Sequence, residues 1–481
     1  MSEQLALLPA RLAAHLELAL AALAIAAVVG VPLGVAVTRR RALEAPVLGF
    51  ASAIQTIPSL ALLAIMVPLL AALGAWTARV LGVPLSSIGY APALLALTLY
   101  SLLPILRNTV AGIRAVDPAL REAALGVGMT PRQQLLRVEL PLALPVVVAG
   151  LRTAAVFAVG TATLSTPVGA TSLGDFIFSG LQTRNAAAVL VGCVAAAALA
   201  LLLDGTIGAL ERGLRERRRG LAAAALAALL AVGAGTAGAA VWQRAGGGER
   251  PLRIGAKPFT EQYVLAELLA LWCEQRAGVR AETLESLGST VAFDALRAGE
   301  IDVYVEYTGT VWATLMKRAG APARREQVLE QVTDWLADEH RVVVAGALGF
   351  ENTYALGMRA ADARERGIRR IGQLARVAPA LEIGGDFEFF ARAEWTALRR
   401  AYGLRFRAER TMDPSLMYQA LAAGEVDVIS AYSTDGRLAA EEVTLLEDER
   451  GVIPPYDAIV LASPALAREQ PRVLEALRAL S

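Results

Sequence analysis

The residues best suited to chemistry in this chain are aromatic. Two stretches 125 residues apart, ALRAGEIDVYVEYTG (295–309) and ALAAGEVDVISAYST (420–434), agree at eight of fifteen positions. Each reads as the end of a helix, a turn at Gly299 or Gly424, a strand, and a tyrosine, Tyr307 or Tyr432, where the strand stops. Two further tyrosines stand in ENTYALGM (Tyr354) and IPPYDA (Tyr456), each beside an expected lobe crossing or strand start. The face of an aromatic ring attracts cations. A quaternary ammonium has no N–H and so cannot be held by hydrogen bonds, which makes several converging rings the natural host for it. A strand tyrosine is equally at home in an amphipathic core, so residue type alone leaves both readings open. Of the 46 Lys and Arg residues only Lys257 and Lys317 are lysine. In so arginine-rich a chain, Lys257 suits a place that needs a compact point charge rather than a planar fork, the plain alternative being a surface lysine.

Such residues need elements that aim them. Open α/β sheets bind ligands outside the carboxyl ends of their strands, so two similar lobes would each offer a tyrosine to one crevice. From Leu252 onward the runs LRIGA, IDVYVEY, LEIGG, VDVISAY and AIVLAS alternate with helical stretches, the pattern of an α/β domain. With the repeat it predicts two lobes, one from 251 to about 350 plus the carboxyl end, the other from about 351 to 454. RAGGGER (244–250) reads as a short flexible tether, which would hold the domain at high effective concentration.

The first half has another texture. Mean hydropathy is +0.48 with 55% hydrophobic residues, and the excess lies before residue 244. Charge-free windows cover Leu18 to Val37, Ala45 to Ala78, Leu81 to Leu106, Thr153 to Gly174, Asn185 to Leu203 and Gly220 to Gln243. Each is about long enough to cross a bilayer at about 1.5 Å per residue, which predicts six spans with lipid as their solvent. Arginine orients them: Arg39 to Arg41 and the loops 107–142 and 205–219 read as cytoplasmic, against Arg11, Arg79 and Arg184 on the other side. The amino terminus and everything after residue 243 are then expected outside, the last span acting as an anchor. No cleavable leader is expected, because the first apolar run is span-length and lacks a basic start.

The remaining composition excludes more than it suggests. Cys193 and Cys273 cannot build a disulfide framework, His15 and His340 cannot build a His-rich metal site, and a net charge of +1 makes no case for nucleic acid. Neither G-x-x-x-x-G-K-[ST] nor G-x-S-x-G occurs. The chain is therefore expected to be neither an ATPase nor a serine hydrolase, and to carry no enzyme activity, cofactor or metal.

Between the third and fourth spans lies DPALREAALGVGMTPRQQLLRVELP (117–141). Asp117-Pro118 and Thr130-Pro131 each place a capping residue before a proline at a first helical position, with Gly126 and Gly128 between them. This predicts helix, glycine turn, helix, a knob that a cytoplasmic partner can push. Arg152 falls inside the fourth apolar segment, where a charge either faces a cavity or partner or snorkels to the interface.

Here the residues reach a resemblance. EAALGVG, nine residues, then VELP is similar to the EAA loop of ATP-binding-cassette importer permeases, with Val138 where Ile is commoner. The resemblance implies a separate ATPase subunit docking on the loop through Glu122, Ala123, Ala124 and Gly128, and a homodimer of this chain. TATLSTPVGATSLG (161–174) looks like the betaine and osmoprotectant branch of these permeases. KPFTEQYVLAELL (257–269), EYTGT, ENTYALG, GGDFEFFAR (384–392), AYSTDG and PPYDA together resemble the solute-binding proteins for glycine betaine, choline and related osmoprotectants. That implies a cation box of Tyr307, Tyr354, Tyr432 and Tyr456, with Lys257, Thr310 and Arg392 holding the carboxylate of a betaine. The architecture expected is an all-α polytopic permease (1–219), an anchoring helix (220–243), a linker (244–250) and an α/β two-lobed periplasmic-binding-protein-like domain (251–481), located in the inner membrane. An importer of another small solute such as an amino acid keeps the architecture but has less use for four tyrosines. A membrane-anchored solute sensor would need a cytoplasmic signalling domain.

Overall fold

The computed structural model describes residues 2–81, 86–182, 185–245, 250–318 and 324–480. Arg184, the Arg79 side chain and residues 246–249 of the expected tether lie outside the described residues. The chain divides into two compact units, Met1–Gly180 with Ala186–Gly248, and Leu181–Asn185 with Glu249–Ser481.

The first unit is helical. Among the described residues five helices are long and apolar enough to cross a membrane: Gln4–Arg39, Tyr90–Arg114, Pro131–Val168, Ala186–Arg215 and Arg219–Thr236. A sixth crossing exists only as a pair, Arg41–Thr56 with Ser59–Gly74, bent by 106°. The bend follows from Pro58. Its ring pushes the preceding Ile57 out of the helical region, to φ −72° and ψ 128°. The Ile57 carbonyl freed by the break accepts the Tyr100 hydroxyl, and Gln55 donates to the Tyr100 carbonyl at 3.2 Å. The window expected from Ala45 to Ala78 is thus a broken pair rather than one straight helix.

The fourth crossing also differs from expectation. The second helix of the 117–141 loop is not separate: it begins at Pro131 under a capping box between Thr130 and Gln133 and runs on into the membrane helix. A wider turn over Leu135–Glu139 accommodates Pro141, which has no N–H to give. A charge-free window stops at Arg152 and so starts the span late. In the structure Arg152 stays inside the helix because the neighbouring helix supplies its partners: Asp204 takes Nε and Nη2 at 2.6 Å each, and Glu211 lies 3.5 Å away. Of the two readings of Arg152, the geometry favours the paired one.

The second unit holds two five-stranded sheets. Its strands are β1 (Leu252–Gly255), β2 (Ala281–Leu284), β3 (Val303–Tyr307), β4 (Val343–Glu351), β5 (Tyr354–Arg359), β6 (Glu382–Gly385), β7 (Ala408–Thr411), β8 (Val428–Tyr432), β9 (Val443–Leu446) and β10 (Asp457–Ala462). The orders are β2-β1-β3-β10-β4 and β7-β6-β8-β5-β9. These are one topology written twice. In each sheet three parallel strands are joined by an antiparallel one that enters from the other lobe, β10 in the first and β5 in the second. The chain crosses between lobes at 352–353 and again at 447–456, and the crossings touch where the Asn352 N–H donates to the Tyr456 carbonyl at 3.0 Å.

The matched positions of the repeat have structural reasons. Gly299 and Gly424 take φ of 70° and 77°, a left-handed turn that a side chain would strain. Asp302 accepts the Arg253 N–H at 2.8 Å and Asp427 accepts the Glu382 N–H at 2.9 Å, each tying its strand to the parallel neighbour. The alternation in β3 does not mark a solvent face, however. All five residues are buried, Glu306 included. A central strand covered on both sides tolerates that carboxylate only because Lys257 pairs with it and Tyr304 and the Tyr307 N–H donate to it at 3.2 and 2.8 Å.

Candidate functional site

The site is built where the strands of the two sheets point at each other. Tyr307 ends β3 and Tyr432 ends β8; Tyr354 opens β5 and Tyr456 immediately precedes β10. Because β5 and β10 run antiparallel to their neighbours, their amino ends lie at the same sheet edge as the carboxyl ends of β8 and β3. Tyr354 and Tyr432 are direct register partners. Two lobes thus present two tyrosines each.

These rings line one cavity of about 220 Å³ together with Lys257, Thr310 and Arg392, so all seven residues singled out in the sequence converge. Tyr354 lies 5.0 Å from Tyr432 and 5.8 Å, edge-on, from Tyr456, within the range of packed aromatic pairs. Phe259 completes the row, stacked 5.2 Å from Tyr432 and 6.2 Å from Tyr307. Burial first, and then neighbouring carboxylates, push the phenols of Tyr307, Tyr432 and Tyr456 well above their ordinary range, and burial does the same for Tyr354. All four therefore stay neutral and act as hydrogen-bond donors.

The two cations are not held in reserve. Lys257 is buried against Glu306, with its ammonium 4.5 Å from the Tyr307 ring centroid. The Arg392 guanidinium lies 5.0 Å from the centroid of Tyr354, pairs with Glu388 and, at 3.4 Å, with Glu394, and donates to the Tyr456 hydroxyl at 3.2 Å and to Thr310 at 3.5 Å. Burial opposes ionisation of Glu388, but Arg392 and Lys257 outweigh it and hold that carboxyl below its usual range. Burial raises Asp386, which accepts the Phe389 N–H at 2.6 Å and the Tyr432 hydroxyl at 3.1 Å.

Sequence reasoning passed over Phe259, Asn352, Asp386, Glu388 and Asp413, which also line the cavity. Phe259, Asn352, Asp386 and Glu388 stand inside quoted motifs. Asp386 is masked by its ordinary role as the cap of the helix Phe387–Ala391. Among the described residues no group of His, Cys, Asp and Glu is arranged to hold a metal.

In the helical unit, Asp117 caps the helix Pro118–Gly126 and Gly128 takes φ 78°. Glu122, Ala123 and Gly128 are exposed, with Leu125 and Val127 beside them, but Ala124 is 4% exposed. Ala124 therefore seats the helix on its own unit, while its neighbours face outward. The seat is electrostatic as well: the buried Glu139 pairs with Arg39 at the end of the first helix and with Arg121 at 3.3 Å.

Two family models match. Residues 27–216 match the binding-protein-dependent transport system inner membrane component, and residues 250–481 the substrate binding domain of ABC-type glycine betaine transport systems. An ergothioneine transport permease/ergothioneine binding protein of Helicobacter pylori is 31% identical over 459 residues, covering 92% of this chain and 78% of that one. A glycine betaine/carnitine/choline transport system permease of Bacillus subtilis is 40% identical over 198 residues, 41% of this chain and 84% of its own. A solved glycine betaine/carnitine/choline ABC transporter structure aligns at a TM-score of 0.42 and 26% identity, over 48% of this chain and 86% of that one. The helical unit is an integral inner-membrane permease of the kind that works with a separate ATPase. The chain belongs to the glycine betaine/choline ABC transporter family, as an importer permease fused to its own substrate-binding domain for osmoprotectant-type solutes.

Proposed function

We propose that the solute is a small quaternary ammonium compound such as choline or glycine betaine, with its cation set against Tyr307, Tyr354, Tyr432 and Tyr456. The observation that carries this reading is the gathering of four neutral tyrosines, two from each lobe, on one cavity. Its volume of about 220 Å³ is below the ~300–1,000 Å³ of drug-sized pockets, which suits a small solute. A ligand carboxylate would meet Thr310, Arg392 and Lys257 in competition with the partners they already hold, Glu306 for Lys257 and Glu388 and Glu394 for Arg392. In this reading the amino terminus and the binding domain lie on the extracytoplasmic side, two copies of the chain pair, and Glu122, Ala123 and Gly128 meet the ATPase. Binding equilibria measured by calorimetry on the full chain in nanodiscs, with choline, glycine betaine and carnitine against uncharged isosteres, test the cation requirement. Equal affinity for a neutral tert-butyl analogue would overturn it.

A second reading has its own support. The Helicobacter pylori relative shares the fused architecture across 92% of this chain, and its named solute, ergothioneine, is a trimethylammonium betaine with an N–H-bearing ring. Asp386 and Glu388 line the cavity beside their partners Tyr432 and Arg392, carboxylates that an N–H-bearing ring could meet and a simple betaine could not. Including ergothioneine in the same panel decides between the two.

A further inference from the structure

We propose that Glu261 is a positioning residue that ties the orientation of the Tyr307 ring to closure of the two lobes. This rests on the reading of the tyrosine-lined cavity as the solute site. Glu261 is the second residue of the helix Thr260–Ala277 in the first lobe. Its carboxylate gathers donors from three separate places. Oε1 accepts the Tyr307 hydroxyl, from the wall of the site, and Asn352 Nδ2 at 3.0 Å, from the crossing between lobes. Oε2 accepts the Thr434 hydroxyl, from the second lobe two residues beyond Tyr432.

The direction of the phenol bond is fixed by its surroundings. Gln262 Nε2 donates to the Tyr307 hydroxyl at 3.0 Å and to the Val305 carbonyl at 3.1 Å, while its oxygen accepts the Lys257 N–H at 3.3 Å. With a donor already on its oxygen, the phenol spends its single proton on Glu261. None of the ion pairs among the described residues includes Glu261, so its charge is answered by neutral donors, which makes each bond charge-assisted. Opening the lobes must part Oε2 from Thr434, whereas the Tyr307 and Gln262 contacts lie within the first lobe and survive. With the second lobe in place the carboxylate is braced through both oxygens, whereas without it Oε2 is released and Oε1 alone meets Tyr307 and Asn352, so closure narrows the orientation of the ring. Glu261, Asn352 and Thr434 also line an adjoining cavity of about 420 Å³, and Thr434 does not line the tyrosine-lined one.

Thr434 gives the clean test, because it is exposed and does not line the tyrosine-lined cavity. The full chain is reconstituted in nanodiscs with Cys193→Ser and one spin label on each lobe, and distances between labels are recorded with and without choline or glycine betaine. Thr434→Val should broaden the distance distribution without ligand and raise the ligand dissociation rate about 3- to 30-fold, with association within about twofold. Tyr307→Phe, which keeps the ring and deletes the hydroxyl, should raise dissociation similarly, and combining the two should add less than the product of the single effects. Unchanged distances together with dissociation within about twofold in Thr434→Val would overturn the proposal. If wild type binds neither solute, the reading of the cavity fails, and the distance measurement without ligand still decides the role of Glu261: a broader distribution supports it and an unchanged one removes it.

Discussion

Gly309, in the EYTGT stretch, is where the fold leaves least room. A Cβ there would stand 2.4, 2.5 and 2.6 Å from three ring carbons of Tyr456, whereas ordinary contact begins near 3.4 Å. The ring or the backbone must therefore retreat by about 1 Å, the difference of those distances. Neither is free to. Tyr456 donates to Glu394 at 2.5 Å and accepts from Arg392 at 3.2 Å, and Thr308 pins the Gly309 segment to the Tyr456 segment through Pro455 and Asp457 at 3.0 and 2.9 Å. Overpacking of this kind costs about 1–3 kcal/mol of stability. Displacing one ring from a cation forfeits about 0.5–2 kcal/mol of binding, or roughly 2- to 30-fold in affinity. Gly309→Ala should thus both destabilise the domain and weaken solute binding, read by thermal unfolding and calorimetry on the full chain. In a Tyr456→Ala background the same substitution should cost almost nothing, since the clashing ring is gone. An equal loss of stability in both backgrounds would refute the steric argument.

Three further outcomes follow from the site. Lys257→Met should cost about 3–5 kcal/mol by leaving Glu306 buried without its partner. Lys257→Met with Glu306→Gln should recover most of that in denaturant titrations, and this stable double variant, not the single one, shows whether Lys257 favours glycine betaine over choline. A Cβ at Gly128 meets no neighbour within 4 Å, so the strain of Gly128→Ala, about 1–2 kcal/mol, arises from φ 78° alone; ATP-driven uptake in proteoliposomes should fall while solute affinity holds. Burial pushes the Asp302 carboxyl up to about 6, above its ordinary value, so the folded state binds that proton more tightly than the unfolded one. Its contribution is whole below about pH 4 and lost as pH rises through 6, and Asp302→Asn should flatten that part of the melting-temperature profile.

The sequence exposes some of this architecture better than the rest, for physical reasons. Strands β8 and β10 are legible as apolar runs of buried central strands, and β1, β3 and β6 as short aliphatic stretches between helical ones. The edge strands β2, β7 and β9 are half exposed and carry no such run, so nothing marks them. The repeat announces the tyrosines because the turn glycines, the tying aspartates and the rings are each demanded twice by one topology. The partner of Lys257 is hidden for the opposite reason: Glu306 lies 49 residues away, so only folding brings the two charges together, while Glu388 and Glu394 stand beside Arg392 in the chain but read as ordinary helix-start acids. Arg152 misplaces a span boundary in the same way, its counter-charges lying on another helix.

Dividing the rings two and two between pseudo-equivalent lobes has a consequence for discrimination. If the cavity is the solute site, a solute resting on the first lobe alone meets Tyr307 and Tyr456, and one resting on the second meets Tyr354 and Tyr432. In the proposed function neither half is a complete host, so the domain would behave as a coincidence detector. A false solute that satisfies one half gains only that half's share and leaves the lobes unjoined, while a true one collects both shares in a single closing step. Selectivity then multiplies across the halves, although no ring in either lobe is by itself selective.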